Sequence, residues 1–286
     1  MRLSRIQAIE IKTPGQIALM REAGLVVARM LKVVAAAAEP GISTGELDAI
    51  AEREMKAAGA RSSFKGYHGY PATICTSVNH EIVHGIPSRD VRIAAGDVLS
   101  IDAGAIVGGW HGDAAITIGI GEITEPLSEL LAACERAMWH GLANAVAGRR
   151  LTDISHAVES SAVASGGLGV VREYTGHFIG SAMHMDPAVP NYGRPGRGPV
   201  LTEGMAMAIE PMLVTGMPDT RLLDDGWTVV TQDGGIAAHF EHTVAITPAG
   251  PWVLTAEDGG AGGLAGVAAA VAGEPDHETP VGARRV

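Results

Sequence analysis

Cysteine is almost missing from this sequence: two residues in 286, Cys75 and Cys134. Two lone thiols build neither a disulfide framework nor a thiolate zinc site, and such usage fits a reducing compartment. Positive charge is scarce too. Lys and Arg number 21 against 32 Asp and Glu, a formal net charge of -11. A chain of that sign repels phosphate backbones and lacks the basic footprint that a primary nucleic-acid role requires. No stretch reaches the roughly 18 apolar residues of a membrane span. The best candidate, LVVARMLKVVAAAA at 25–38, is broken by Arg29 and Lys32. The opening MRLSRIQAIEIK has no apolar core of the kind a secretory signal needs, so the expected location is cytoplasmic. Aromatics make up only 4%, yet 47% of residues are hydrophobic, ample for a core and too many for disorder over most of the length. Among the basic residues Arg greatly outnumbers Lys beside abundant Ala, Gly and Val, a bias that suggests a bacterial, GC-rich source.

What is present follows an order. Residues 13–38 have helical spacing, opened by Thr13, Pro14 and Gln16 as a capping box and stopped at Pro40-Gly41. A second box, Ser43 to Glu46, opens a helix expected to run to about Gly59. Residues 72–120, rich in Thr, Ile and Val and cut by Gly and Pro, read as strands. Helical patterning returns at 125–147 and 152–165, followed by strand-like VVREYT, MAMAIEPML, WTVVTQD and AAHFEHTVAIT. Helix, helix, strands therefore occurs twice. The pattern implies two similar α+β halves packed as one unit with a site between them. Residues 257–286 hold seven Gly, seven Ala and no aromatic, and are expected to form a disordered tail, with LAGVAAAVAG a short helical candidate inside it.

Four acidic residues sit inside apolar strand patterns: Asp102 in VLSIDAGAIV, Asp113 in WHGDAAITIGI, Glu210 in MAMAIEPML and Glu241 in AHFEHTVAI. Burying an unpaired carboxylate costs several kcal/mol or more. Bound cations give all four a common explanation. His177, between glycines in YTGHFIG, joins them. Four carboxylates and an imidazole exceed the roughly four ligands of one zinc. They suit two divalent ions about 3.5–4 Å apart. Oxygen-rich ligation with one imidazole favours Mn, Fe or Co, with Zn also compatible.

The order and spacing of these five residues resemble the type I methionine aminopeptidases. The likeness extends through GYHGYPATICTSVNHEIVHGIP at 66–87, IDAGAIVGGWHGDAAIT at 101–117, YTGHFIG at 174–180 and MHMDPAVPNYGRPGRGPVLTEGMAMAIEP at 183–211. It continues in DDGWTVVTQDG at 224–234 and HFEHT at 239–243, and covers roughly residues 10–256. The resemblance implies an α+β pita-bread fold: one domain over 1–256, with two pseudo-symmetric halves around a dinuclear metal site. It implies Asp102, Asp113, His177, Glu210 and Glu241 as ligands of two ions (Co, Mn, Fe or Zn), with Asp113 and Glu241 bridging. It implies His84 and His184 beside the substrate amide, and Glu210 as proton shuttle from a water activated between the ions. Tyr67, His68, Tyr70, Cys75 and Trp227 fall at positions of the methionine pocket. His239 and His242 flank Glu241, and each is a candidate to support the ligands without binding metal itself.

The implied activity is removal of N-terminal methionine from peptides and nascent proteins, with a small second residue preferred. Transient ribosome contact and a monomeric state accompany that expectation. A proline-specific peptidase on the same fold usually carries an extra N-terminal domain and a differently spaced His-rich segment, neither of which is seen. A non-catalytic relative would have lost ligands. Two departures stand out: Phe178 replaces a usual Gly, and Met183 replaces a usual aromatic. Both are expected to reshape the pocket wall.

Overall fold

Two reciprocal hydrogen bonds start the first helix, α1 (Pro14–Ala37). Thr13 Oγ1 accepts from the Gln16 amide, and the Gln16 side chain accepts from the Thr13 amide. Ser43 and Glu46 do the same for α2 (Thr44–Ala57). Each pair satisfies N–H groups that a helix start leaves open. The computed structural model describes residues 9–273. Ile17, Met20, Val27, Leu31 and Val34 recur along one face of α1 and are buried. This helix lies across the hairpin Val98–Val107 and Trp110–Gly119. Gly108 and Gly109 make its turn, both at positive φ, the backbone a two-residue hairpin loop needs.

The second half repeats the plan. α3 (Glu125–Ala143) and α4 (Leu151–Ala164) cover a core with Leu130, Met138, Ile154, Val158, Ile209 and Val244. α3 ends earlier than its sequence pattern suggests, because the Asn144 side chain turns back to donate to the His140 carbonyl.

The strands make the duplication visible. Reading across the nine-stranded sheet, Ile74–Val78 pairs with Val98–Val107, then Trp110–Gly119, Glu241–Thr247, Ala206–Ile209 and Gly176–Phe178. Three strands of one half meet the three of the other in mirrored order. The seam is the pair Trp110–Gly119 and Glu241–Thr247. There the Asp113 amide donates to Thr243 Oγ1, and that hydroxyl donates back to the Asp113 carbonyl.

Two runs expected as continuous strands are broken. MAMAIEPML divides into Ala206–Ile209 and Met212–Val214 around Glu210-Pro211, where proline has no N–H to give a ladder. AAHFEHTVAIT divides into Ala237–His239 and Glu241–Thr247 at Phe240. In each case the chain leaves one sheet and enters another, since Met212–Val214 pairs with Ala237–His239 in a separate three-stranded sheet. VVREYT contributes only its first residue to a strand, Gly169–Val170.

The expected tail is partly corrected. α5 (Ala261–Gly273) packs on α3, with Gly263 against the Trp139 ring and Leu264 against the core of the second half. Arg21 of α1 ties the preceding segment down by donating to the carbonyls of Val253, Leu254, Ala256 and Glu257. Apolar burial and these bonds order residues that composition alone marks as disordered. Residues 274–286, the rest of that expected tail, lie outside the described residues.

Candidate metal centre and substrate cleft

Strand register puts the acids on one side of the sheet. Directly paired residues share a face, as do residues two apart along a strand. Cys75 pairs with Asp102, Asp102 with Ala115, and Ala115 with Glu241. Asp113 is two residues from Ala115. Across the next pairings, Thr243 faces Ala208 and Ala208 faces His177. Glu210 follows Ala208 by two. All five expected ligands thus line the same face, and the breaks at Pro211 and Phe240 bring Glu210 and Glu241 to strand ends there.

The ligand atoms converge. One atom each from Asp113, His177 and Glu241 lies within 4.8 Å of the others, and the same holds for Glu210, His239 and Glu241. Glu241 belongs to both triads. Asp102 belongs to neither and stands on the adjoining strand beside them. Asp113 and Glu241 are 3% and 2% exposed. Asp102 Oδ1, Asp113 Oδ1 and Glu241 Oε1 are buried with no hydrogen-bond partner. Burial drives all four carboxyls upward from the ordinary carboxylate range, and mutual repulsion adds to it at Asp113, Glu210 and Glu241.

His177 supplies the sharpest test of whether these residues fit a cation. Its Nδ1 lies 3.1 Å from the Phe178 carbonyl, which can only accept, so Nδ1 carries the proton. Burial holds the ring neutral, its pKa pushed down to about 3. Nε2 therefore presents a lone pair, and it sits 3.5 Å from Glu210 Oε1, another acceptor. Two acceptors facing each other at that separation suit an ion between them, since two donors each about 2.0–2.2 Å from one metal lie about 3–3.5 Å apart. Unpartnered buried oxygens and a histidine fixed in its metal-binding tautomer fit divalent cations well.

Two cavities meet at this centre. An outer cleft of about 510 Å³ is lined by His84, Tyr174, His177, His184, Glu210 and Met212 among others. An inner recess of about 70 Å³ shares His84, His177, His184 and Glu210 with it and adds Asp102, Asp113 and Glu241. Away from the acids, the recess wall is apolar: Phe64, Tyr67, Tyr70, Cys75, Met183 and Trp227. Tyr70 is buried, its hydroxyl shared between the carbonyls of Ile74 and Gly85, and its ring meets Trp227 edge-on at 5.0 Å. Burial also pushes the Cys75 thiol up, so it stays a neutral, small wall residue. His184 Nδ1 is 2.9 Å from the Tyr67 hydroxyl. His84 stands at positive φ, with Tyr174 and Trp227 around its ring. A histidine held in that backbone region is strained, a state found most often at functional sites.

Several expectations change. His68 is exposed at the rim beside the Tyr67 ring, outside the recess lining. Phe178 does not touch the pocket. It follows His177 on the strand, so it faces the opposite side and is buried in the core under α3 and α4. Met183 does line the recess. The sequence motifs do not single out Phe64 and Tyr174, and they mark His239 only as a neighbour of Glu241. The aromatic run SSFKGYHGY holds a signal for Phe64. His242 is directed away from the centre, its Nδ1 2.8 Å from Thr255 Oγ1.

A sheet of two mirrored halves holding a buried acid-and-histidine centre at the end of a cleft defines a metallopeptidase. Residues 18–248 match metallopeptidase family M24, and the chain belongs to that family. It is 51% identical to the methionine aminopeptidase of Clostridium acetobutylicum over 247 residues, covering 86% of this chain and 98% of that one. It is 49% identical to methionine aminopeptidase 1 of Mycobacterium tuberculosis, covering 89% and 97%. The crystal structure of methionine aminopeptidase from Thermotoga maritima superposes with a TM-score of 0.85 at 41% identity, over 87% of this chain and all of that one. Prolidase from Pyrococcus furiosus shares the fold alone, with a TM-score of 0.69 at 23% identity and 65% of its own chain covered. No helix among the described residues is long and apolar enough to cross a membrane.

Proposed function

We propose that the protein is a methionine aminopeptidase that removes N-terminal methionine from peptides and nascent proteins, preferring a small second residue. The observation that carries this reading is the apolar recess opening directly onto the buried acids, so that a side chain in the recess leaves its own amine and carbonyl at the centre. Two divalent ions held by Asp102, Asp113, His177, Glu210 and Glu241 would supply Lewis-acid polarisation and a more acidic water. Asp113 and Glu241, on facing strands of the seam, are the bridging candidates. The ions are of the Mn, Fe, Co or Zn type.

The protein's own groups do the rest. Phe64, Tyr67, Tyr70, Cys75, Met183 and Trp227 hold the thioether in a dry, polarisable wall. His184, steadied by Tyr67, donates to the scissile carbonyl oxygen as charge grows there. His84 contacts the amide nitrogen beyond it. Glu210 carries the proton from the attacking water to the leaving amine. The closed end of the recess accounts for cutting a single residue from the end of a chain. The same reading places a monomeric enzyme in the cytoplasm, meeting its nascent substrates in transient contact with the ribosome.

The deciding experiment is hydrolysis of Met-Ala-Ser, Met-Lys-Ser and Ala-Pro-Ala by chelated protein resupplied with Mn, Co, Fe or Zn in turn. Cleavage of Met-Ala-Ser alone is expected. Cleavage of Ala-Pro-Ala alone, or silence with every metal, overturns the reading. His184→Ala is expected to lower turnover on Met-Ala-Ser by about a hundredfold or more.

A further inference from the structure

One buried side chain at the centre has no part in the five-ligand scheme. His239 is 2% exposed, and its Nε2 has no hydrogen-bond partner. Leaving a buried polar atom unpaired costs about 1–3 kcal/mol. Its backbone is fixed from both sides by one residue: the His239 amide donates to Thr117 Oγ1, and that hydroxyl donates to the His239 carbonyl. The backbone is thus held in place, with the ring facing Glu210.

The two oxygens of Glu210 are divided between two imidazoles. Oε1 is 3.5 Å from His177 Nε2, while Oε2 is 3.7 Å from His239 Nε2. The His177 nitrogen is a lone pair, as its other nitrogen donates to Phe178. On that side a metal ion satisfies both atoms. On the other side a proton on His239 Nε2 satisfies both, and a shift of about 1 Å brings the pair to hydrogen-bond distance. The same carboxylate therefore has one oxygen suited to a metal and one suited to a donor. A carboxylate with one oxygen fixed by an N–H keeps the other aimed, and the donor offsets part of the repulsion among four neighbouring acids.

We propose that His239 is a positioning residue of the metal centre, donating from Nε2 to Glu210 Oε2 and so holding Oε1 toward the ion it shares with His177. The proposal rests on the metal-centre reading above, and it gives His239, which the sequence marks only as a neighbour of Glu241, a definite partner in Glu210.

The test is metal binding. Chelated wild type, His239→Gln and His239→Leu are titrated with Mn(II) by calorimetry and with Co(II) by visible absorption. Leu fills the volume without a donor, and Gln retains an N–H. The Leu variant is expected to bind Mn(II) about 10–100-fold more weakly, with an altered Co(II) spectrum, and the Gln variant to recover most of that loss. Wild-type affinity and spectrum in the Leu variant would overturn the proposal. So would equal losses in Leu and Gln variants, which would make His239 a packing residue. Failure to cleave methionyl peptides would leave this result intact and count only against the substrate assignment.

Discussion

The two halves of the molecule share a plan and divide the chemistry. The first half offers Asp102 and Asp113 from within the two ten-residue strands of a hairpin. The second offers Glu210 and Glu241 from strand ends, where the chain changes sheets. Short carboxylates sit on the regular scaffold, and longer ones sit where the backbone breaks. The imidazoles are also unequal: His177, His184 and His239 all come from the second half, against His84 from the first. Each half thus supplies two of the four acids, while three of the four imidazoles around the centre come from the second.

That comparison can be broken most severely at the seam. Asp113→Asn and Glu241→Gln remove one acid from each half, on facing strands. Either is expected to reduce peptide hydrolysis to background and weaken Mn(II) binding, read by calorimetry. If only one did so, the halves would not contribute equally to a shared centre. Metal removal acts next. Chelation is expected to lower the melting temperature, and a thousandfold excess of Mn(II) over its dissociation constant to restore about 4 kcal/mol. An unchanged melting curve would contradict a centre in which four buried carboxyls repel one another.

A smaller effect lies where the N-terminal segment, leading into the first half, crosses onto the second. The Lys12 amide donates to the Gly204 carbonyl, and Glu10 accepts from the Ser181 amide. The Lys12 ammonium is fully buried, 3.6 Å from Glu10. Burial pushes its pKa down from 10.5 to about 8, against the pull of Glu10. Below pH 8 the folded state carries the whole burden of the buried charge. As pH rises toward 10.5, the unfolded chain holds that proton longer than the folded one, so stability increases. The gain is about 3 kcal/mol at most and is expected to be absent in Lys12→Met. Denaturant unfolding of both proteins between pH 7 and 10 measures it.

Much of this was legible in the sequence for local reasons. Capping boxes at Thr13 and Ser43 depend on residues three apart, and both helices begin where the boxes place them. The five ligand candidates stood out because each is a polar residue in an apolar run. The one misplaced pocket residue has a different origin. Phe178 follows a residue that does face the cleft, and a one-residue step along a strand reverses direction. The sequence shows His239 only as a neighbour of Glu241, because its place opposite Glu210 is set by a sheet-to-sheet crossing. The order of the Gly-rich segment after residue 256 depends on Trp139 and Arg21, far away in the chain.

The mirrored strand order also governs when the protein can become active. Asp113 bonds to a residue 130 positions later, and the strand that carries it is completed only by Glu241–Thr247. Until that strand is synthesised, Trp110–Gly119 presents an open edge, a surface prone to pairing with other chains. Such distant pairing also makes for slow closure. The centre is therefore assembled only once residue 241 has been synthesised, and a chain truncated before it holds an exposed sheet edge and lacks Glu241, the last of the five candidate ligands.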